Sequence, residues 1–252
     1  PAIGPETAKR LLDAVNEGYP GPRIFVLAPF ITPKDGYMTS HEMRGPAFAE
    51  FWPAVDAKTN IVEMIQTARP LKPVGMKVAI EDGVVFPNLP LFEKETMTNI
   101  RTSATQTDTR IFVHSMTNKE HRIALKLNPY ALVHIGLWDE QLAPDILETL
   151  KKRGTYVMST AALHRISNWG WHQSFVEDPW MRARIPTLQW ETASHPSAPG
   201  QLNYVTTEIM RPWYVPVSLA RLTADWFVPS PDDAAKATAS SVAAIKQLHD
   251  AG

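Results

Sequence analysis

Three residues have the types and spacing to do chemistry together. They are Lys77 in "GMKVAI", His114 at the end of "RIFVH" and His134 at the end of "ALVH". Each lies about one βα unit from the next, on or at the end of a short apolar run that reads as a strand. In a parallel α/β sheet the carboxyl ends of the strands line the ligand site, so adjacent strands would present all three at one mouth. Neutral imidazole is the commonest ligand for divalent transition metals and suits Zn at about 2.0–2.1 Å. Water on such a metal can have a pKa of about 7, so hydroxide becomes available as a nucleophile. A lysine ammonium has no lone pair and repels a cation. A lysine in such a site is therefore neutral, catalytic, or chemically converted to an acid. The plainer alternatives are a hydrogen-bonded core histidine and a lysine that snorkels to the sheet edge.

Composition narrows the setting of these residues. The 252 residues fit one large domain, with two small ones as the alternative, and can bury a substantial core. The 25 basic and 26 acidic residues are interspersed, which points away from nucleic acid and from a membrane surface. No run approaches the roughly 18 apolar residues of a membrane-spanning helix. With no cysteine, disulfides, thiolate nucleophiles and cysteine zinc sites are excluded. The compartment stays open between cytoplasm and periplasm. The start, "PAIGPETAKR", lacks Met and any signal-peptide pattern and reads as processed or truncated.

The elements that must position the three residues follow a rhythm. Helical patterns cover 5–18, 60–68, 91–106, 119–127, 143–154 and 231–252, and apolar strand runs cover 23–30, 74–80, 110–114, 131–136 and 155–160. Residues 31–50 read as a long loop. Alternation of apolar strands with helices predicts parallel βαβ units, in a (β/α) barrel or a doubly wound sheet. No G-x-G-x-x-G follows a strand, which lowers the dinucleotide-binding version. A Trp- and Pro-rich excursion at about 161–231 interrupts the rhythm, and Trp169, Trp171 and Trp180 within it suit a pocket wall, internal packing or a homo-oligomer contact. His41 and His164 fall in loops, and His121 and His249 on helices with solvent-facing positions expected.

The stretch from about 5 to 160 resembles the metal-dependent amidohydrolase superfamily, nearest its prolidase-like and imidazolonepropionase-like branches. The likeness rests on "GYPGPRIFVLAPFITPKDGY", "VGMKVAIEDG", "RIFVHSMTNKEHRIALKLNPYALVHIGLWDE" and "LKKRGTYVMST". The resemblance implies a TIM (β/α)8-type barrel of which strands three to seven are visible and the first, second and eighth are missing from this chain. Residues 1–252 would then be one partial barrel domain.

By the same resemblance Lys77 matches a lysine carboxylated by carbon dioxide, whose carbamate bridges two metals, and His114 and His134 match ligands of the second metal. The implied reaction is hydrolysis of an amide or cyclic amide, of dipeptidase type among others, by hydroxide bound to one or two divalent ions, Zn foremost. The substrate would be a small molecule, with His164, Tyr37 and Arg165 as candidate contacts. The family's first-strand His-x-His and eighth-strand Asp have no counterpart here. A metal-free barrel enzyme using Lys77 for Schiff-base or proton transfer, and a non-catalytic ligand-binding barrel, remain alternatives.

Overall fold

The computed structural model describes residues 5–21, 23–37, 39, 53–82, 89–135, 141–159, 179 and 231–252. Six strands form one parallel sheet: β1 (Leu27–Pro33), β2 (Ala54–Val55), β3 (Gly75–Ala79), β4 (Ile111–His114), β5 (Ala131–Val133) and β6 (Tyr156–Met158). Their order across the sheet is β2-β1-β3-β4-β5-β6. Helices α1 (Pro5–Asn16), α2 (Ile61–Ala68), α3 (Lys94–Gln106), α4 (Asn118–Ala124), α5 (Pro144–Arg153) and α6 (Pro231–Ala251) complete the described elements. Apart from β2, chain order equals sheet order, so each strand adds beside the one before it. The sheet is open between β2 and β6 among the described residues. Almost all of the expected excursion lies outside them.

Local signals explain the boundaries. Gly18 (φ +85°) and Gly154 (φ +63°) follow α1 and α5 in the left-handed conformation that an L side chain avoids. The Asn60 side chain caps α2, and Thr117 with Glu120 forms a capping box on α4. Two expectations shift. The first strand is not 23–30 but Leu27–Pro33, so residues 31–33 are strand rather than loop. Hydrogen bonding sets this: Leu27, Phe30 and Ile31 pair with Gly75, Lys77 and Val78, while Phe25 is left 65% exposed. The two-residue β2 pairs with Thr32 and Pro33 and is too short to carry any periodic signal.

The two faces of the sheet differ. Met76, Val78, Ile80, Ile111, Val113 and Leu132 point one way and pack with Ile61 and Ile65 of α2, Ile100 and Ala104 of α3, Ile146 and Leu150 of α5, and Ala244 of α6. Each such aliphatic side chain contributes about 1.5–3 kcal/mol when fully buried. The opposite face carries Lys77, Phe112, His114, Ala131 and Val133, and its small apolar cluster includes no helix residue. Among the described residues, the helix side chains that pack on the sheet lie on one face of it, and in that sense the other face is helix-free. Among the described residues, no helix is long and apolar enough to cross a membrane.

The tightest point in the sheet is Gly75. A Cβ there would stand 2.6 Å from the Arg110 carbonyl oxygen, which already accepts from the Met76 amide at 2.8 Å. That oxygen cannot retreat without opening the β3–β4 ladder. Gly75→Ala is expected to destabilise the fold by about 1–3 kcal/mol. The readout is a lower urea midpoint with an unchanged slope, and an unaltered midpoint would contradict this strand pairing.

Candidate functional site

The site is assembled by strand register. Lys77 lies beside Phe112, and Ala79 beside His114, which in turn lies beside Val133. Side chains alternate along a strand, so Lys77, Ala79 and the position two beyond, Glu81, share the helix-free face. His114, the last residue of β4, takes the same face. His134 should by simple alternation point with Leu132 toward the helices. Instead it adopts φ +72°, a left-handed conformation uncommon for any residue but glycine. Its ring consequently lies with centroid 4.8 Å from that of His114, in an edge-on arrangement. Ile135 then returns to the helix-side core.

Further contacts hold the His114 ring. Its Nε2 lies 3.1 Å from Glu81 Oε2, and the two side chains are almost wholly buried. Tyr37 stacks on it, with centroids 4.6 Å apart and planes 25° from parallel. The turn after β1 delivers Tyr37. The Thr32 hydroxyl donates to the Tyr37 carbonyl, and the Thr39 hydroxyl donates to the Pro33 carbonyl at 2.6 Å. At Gly36 inside this turn, a Cβ would meet the Pro90 carbonyl oxygen at 2.9 Å.

Burial sets the charge states. Lys77 is lowered to about 8 by desolvation. No hydrogen bond or ion pair to its ammonium is found among the described residues. His114 is lowered to about 3, by burial first and then by the Lys77 charge. His134 is lowered to about 2, by burial, then by His114 and by Lys77. Lys77 is thus within electrostatic reach of both rings, and both imidazoles are neutral at physiological pH. Neutral imidazoles keep the lone pair a metal needs.

The fit to a metal is partial but chemically sound: two adjacent neutral rings and an amine of lowered pKa beside them. Among the described residues, no group of three or more His, Cys, Asp or Glu could hold a metal. Lys77 in an anionic form would add a third protein ligand from this face.

Of the residues singled out in the sequence, Lys77, His114, His134 and Tyr37 converge. His164, Arg165, His41, Trp169, Trp171 and Trp180 lie outside the described residues. His249 is exposed, as expected. His121 is not. It is fully buried, with its Nδ1 2.8 Å from the Ser115 hydroxyl, and its Nε2 has no partner among the described residues. The short α4 turns this side chain under the end of β4. Glu81 and Glu120 were not anticipated from the sequence. The signal for Glu81 was present in "KVAIE", where the acid falls on the lysine's side of a period-two strand. Glu120 accepts from the backbone N–H groups of Asp82, Met116 and Thr117. It is pushed up to about 7 by burial, aided by the Glu81 charge and opposed by those backbone donors.

Solved structures share this fold. An amidohydrolase crystal structure aligns over 100% of this chain and 51% of its own, with TM-score 0.58 and 13% sequence identity. The crystal structure of A. niger ochratoxinase aligns over 97% and 58%, with TM-score 0.51 and 15% identity. A prolidase complexed with N-methylphosphonate-L-proline aligns over 81% and 48%, with TM-score 0.50 and 15% identity. The chain therefore spans about half the length of the solved structures it matches. No protein-family model matches the sequence, and no curated protein matches it.

The buried histidines make stability depend on pH in a definite direction. Below about 6.5 the unfolded chain protonates His114, His121 and His134, whereas the folded chain keeps them neutral down to about 3, 4 and 2. The unfolded state then binds more protons, so stability falls as pH falls. Glu120 works oppositely between 4.5 and about 7, where only the folded state holds its proton. Three groups outweigh one. The unfolding free energy from urea titration should drop from pH 7.5 to pH 5.0, on the order of 1 kcal/mol or more per pH unit once the pH is below about 6.5, and the midpoint with it. A midpoint that rises on acidification contradicts the buried neutral rings.

Proposed function

We propose that this chain carries the Lys77, His114 and His134 part of a metal-dependent hydrolase centre that cleaves amide or cyclic amide C–N bonds. The observation supporting it most is the meeting of two neutral imidazole rings with a desolvated lysine on the helix-free face of a parallel sheet. Fold likeness to an amidohydrolase, an ochratoxinase and a prolidase is in keeping with that chemistry. Fold alone does not assign a reaction, so the reading rests on the site.

On this reading His114 and His134 are metal ligands, and Lys77 becomes one by carboxylation. Its low pKa favours the step, because only the neutral amine attacks carbon dioxide: the N–C bond forms as one C=O π bond opens, an amine proton is released to solvent, and the carbamate is an anion. Zn is the ion its imidazole ligands suit best, as one ion or a pair. When bound, such an ion lowers the pKa of water toward about 7 and polarises a carbonyl oxygen. The protein's own contribution is to keep both rings neutral and to hold His114 between Tyr37 and Glu81. Tyr37 stands at the rim of this cluster and is the substrate contact nearest the rings. His164 and Arg165 enter as substrate contacts on the sequence reading alone. A closed barrel, a dipeptidase-like substrate and a homo-oligomer belong to the same proposal.

A second reading draws on Lys77 itself. A half-buried amine lowered to about 8 is also a suitable Schiff-base nucleophile.

Zinc content and hydrolysis of an N-acyl amino acid and Xaa-Pro dipeptide panel by the protein separate the two. Lys77→Ala and His134→Ala should each lower bound zinc and reduce turnover by more than about 100-fold. Unchanged zinc and unchanged turnover in both variants sinks the metal reading. Borohydride trapping of a carbonyl compound on Lys77 selects the second.

A further inference from the structure

We infer that Glu81 is the positioning residue for His114: its carboxylate accepts a hydrogen bond from Nε2–H and leaves Nδ1 as the ring nitrogen presented to a cation. The inference deepens the metal-site reading above and rests on it.

The geometry is specific. Glu81 Oε2 lies 3.1 Å from Nε2, with Glu81 1% and His114 5% exposed. Glu81 is taken as a carboxylate, which offers only lone pairs and makes the ring the donor in this contact. A neutral imidazole has one N–H, so donation from Nε2 places the remaining lone pair on Nδ1. No hydrogen bond to Nδ1 is found among the described residues. The ring cannot readily turn to exchange its nitrogens. Tyr37 stacks on its face, and the His134 ring meets it edge-on.

The charge of Glu81 matters as well as its position. A buried carboxylate is costly unless it is hydrogen-bonded, and the ring it orients is one of its partners. The nearby acid does not compete for that ring, because Glu120 engages both carboxylate oxygens with three backbone N–H groups. A carboxylate acceptor also makes the opposite ring nitrogen more basic than a neutral acceptor does, which strengthens its bond to a metal. The strand period explains why the residue is available. Lys77, Ala79 and Glu81 point to one face, and the β3–β4 register sets Ala79 beside His114.

The test uses the whole protein with Glu81→Leu and Glu81→Gln, each checked for native thermal unfolding. Imidazole 15N resonances of the metal-free protein report which nitrogen of His114 carries hydrogen. Zn2+ alone, competed against a chromophoric chelator, reports affinity. In the wild type, Nε2 should be protonated and Nδ1 bare. Glu81→Leu should populate both tautomers and weaken Zn2+ about 10–100-fold, with Glu81→Gln intermediate. If Glu81→Leu does not fold, the Glu81→Gln resonances and affinity decide. A wild-type His114 protonated on Nδ1 overturns the inference. So does a variant whose tautomer and affinity both match wild type. Lost Zn2+ binding with an unaltered tautomer overturns it too, since Glu81 would then be a ligand itself. Absence of Zn2+ binding by the wild type, with the expected tautomer present, removes the metal-site reading and leaves the orientation of His114 by Glu81 intact.

Discussion

The site depends on the pairing of β3 with β4. Four consecutive residue pairs, from Met76 with Ile111 to Ala79 with His114, lock the two strands in register. A slip by one residue would turn His114 toward the helices and Ile111 toward the site, because the side-chain period of a strand is two. Gly75 and the Arg110 carbonyl, packed too closely for a Cβ, pin the start of this pairing. Everything that gives the site its chemistry is measured from that ladder. Lys77 and Glu81 flank Ala79, and His114 sits opposite it.

Burial then converts geometry into chemistry. On an exposed surface, Lys77 would stay charged and the two histidines would titrate near neutrality. Here desolvation lowers all three, and their mutual repulsion lowers the rings further. The contrast with the surface is instructive. Arg122 and Asp145 form a two-pronged ion pair at 2.8 and 2.9 Å, yet both are half exposed, and such a pair contributes only about 0–1 kcal/mol. Removing Glu81 from its buried hydrogen bond with the neutral His114 ring costs about 1–3 kcal/mol, because a buried donor is left unsatisfied. The energetic weight of polar contacts in this fold lies beneath the carboxyl ends of the strands.

A left-handed residue completes the cluster. β5 ends at Val133, and without the φ of His134 its ring would join the helix-side core. Strain of about 1–3 kcal/mol at such positions persists where surrounding structure enforces it. Here the His134 amide bonds to the Met158 carbonyl at 2.9 Å, which ties the residue to β6. Backbone conformation, rather than strand alternation, joins this ring to its partner.

Hydrophobic runs and helix stops were enough, read along the chain, to place nearly every described element, to order the strands in parallel, and to set Lys77, His114 and His134 on neighbouring strands, whereas the left-handed backbone of His134 decided that its ring meets that of His114. Those signals are local: a strand's apolar run, a capping Asn60, a Gly154 that ends a helix. What the chain by itself left undecided was set by contacts between segments far apart in sequence. The start of β1 moved to Leu27 because its partners on β3 decide where a strand begins, and β2 exists only because Thr32 and Pro33 offer it an edge. His121 proved buried rather than solvent-facing because α4 tucks under β4, and no helical period specifies which side meets the sheet in so short a helix. Glu81 gained its meaning only once register placed it against Nε2 of a histidine 33 positions away. Local pattern determines which elements form, whereas register and burial, which are properties of the assembled sheet, decide which side chains share a site and what charge they carry.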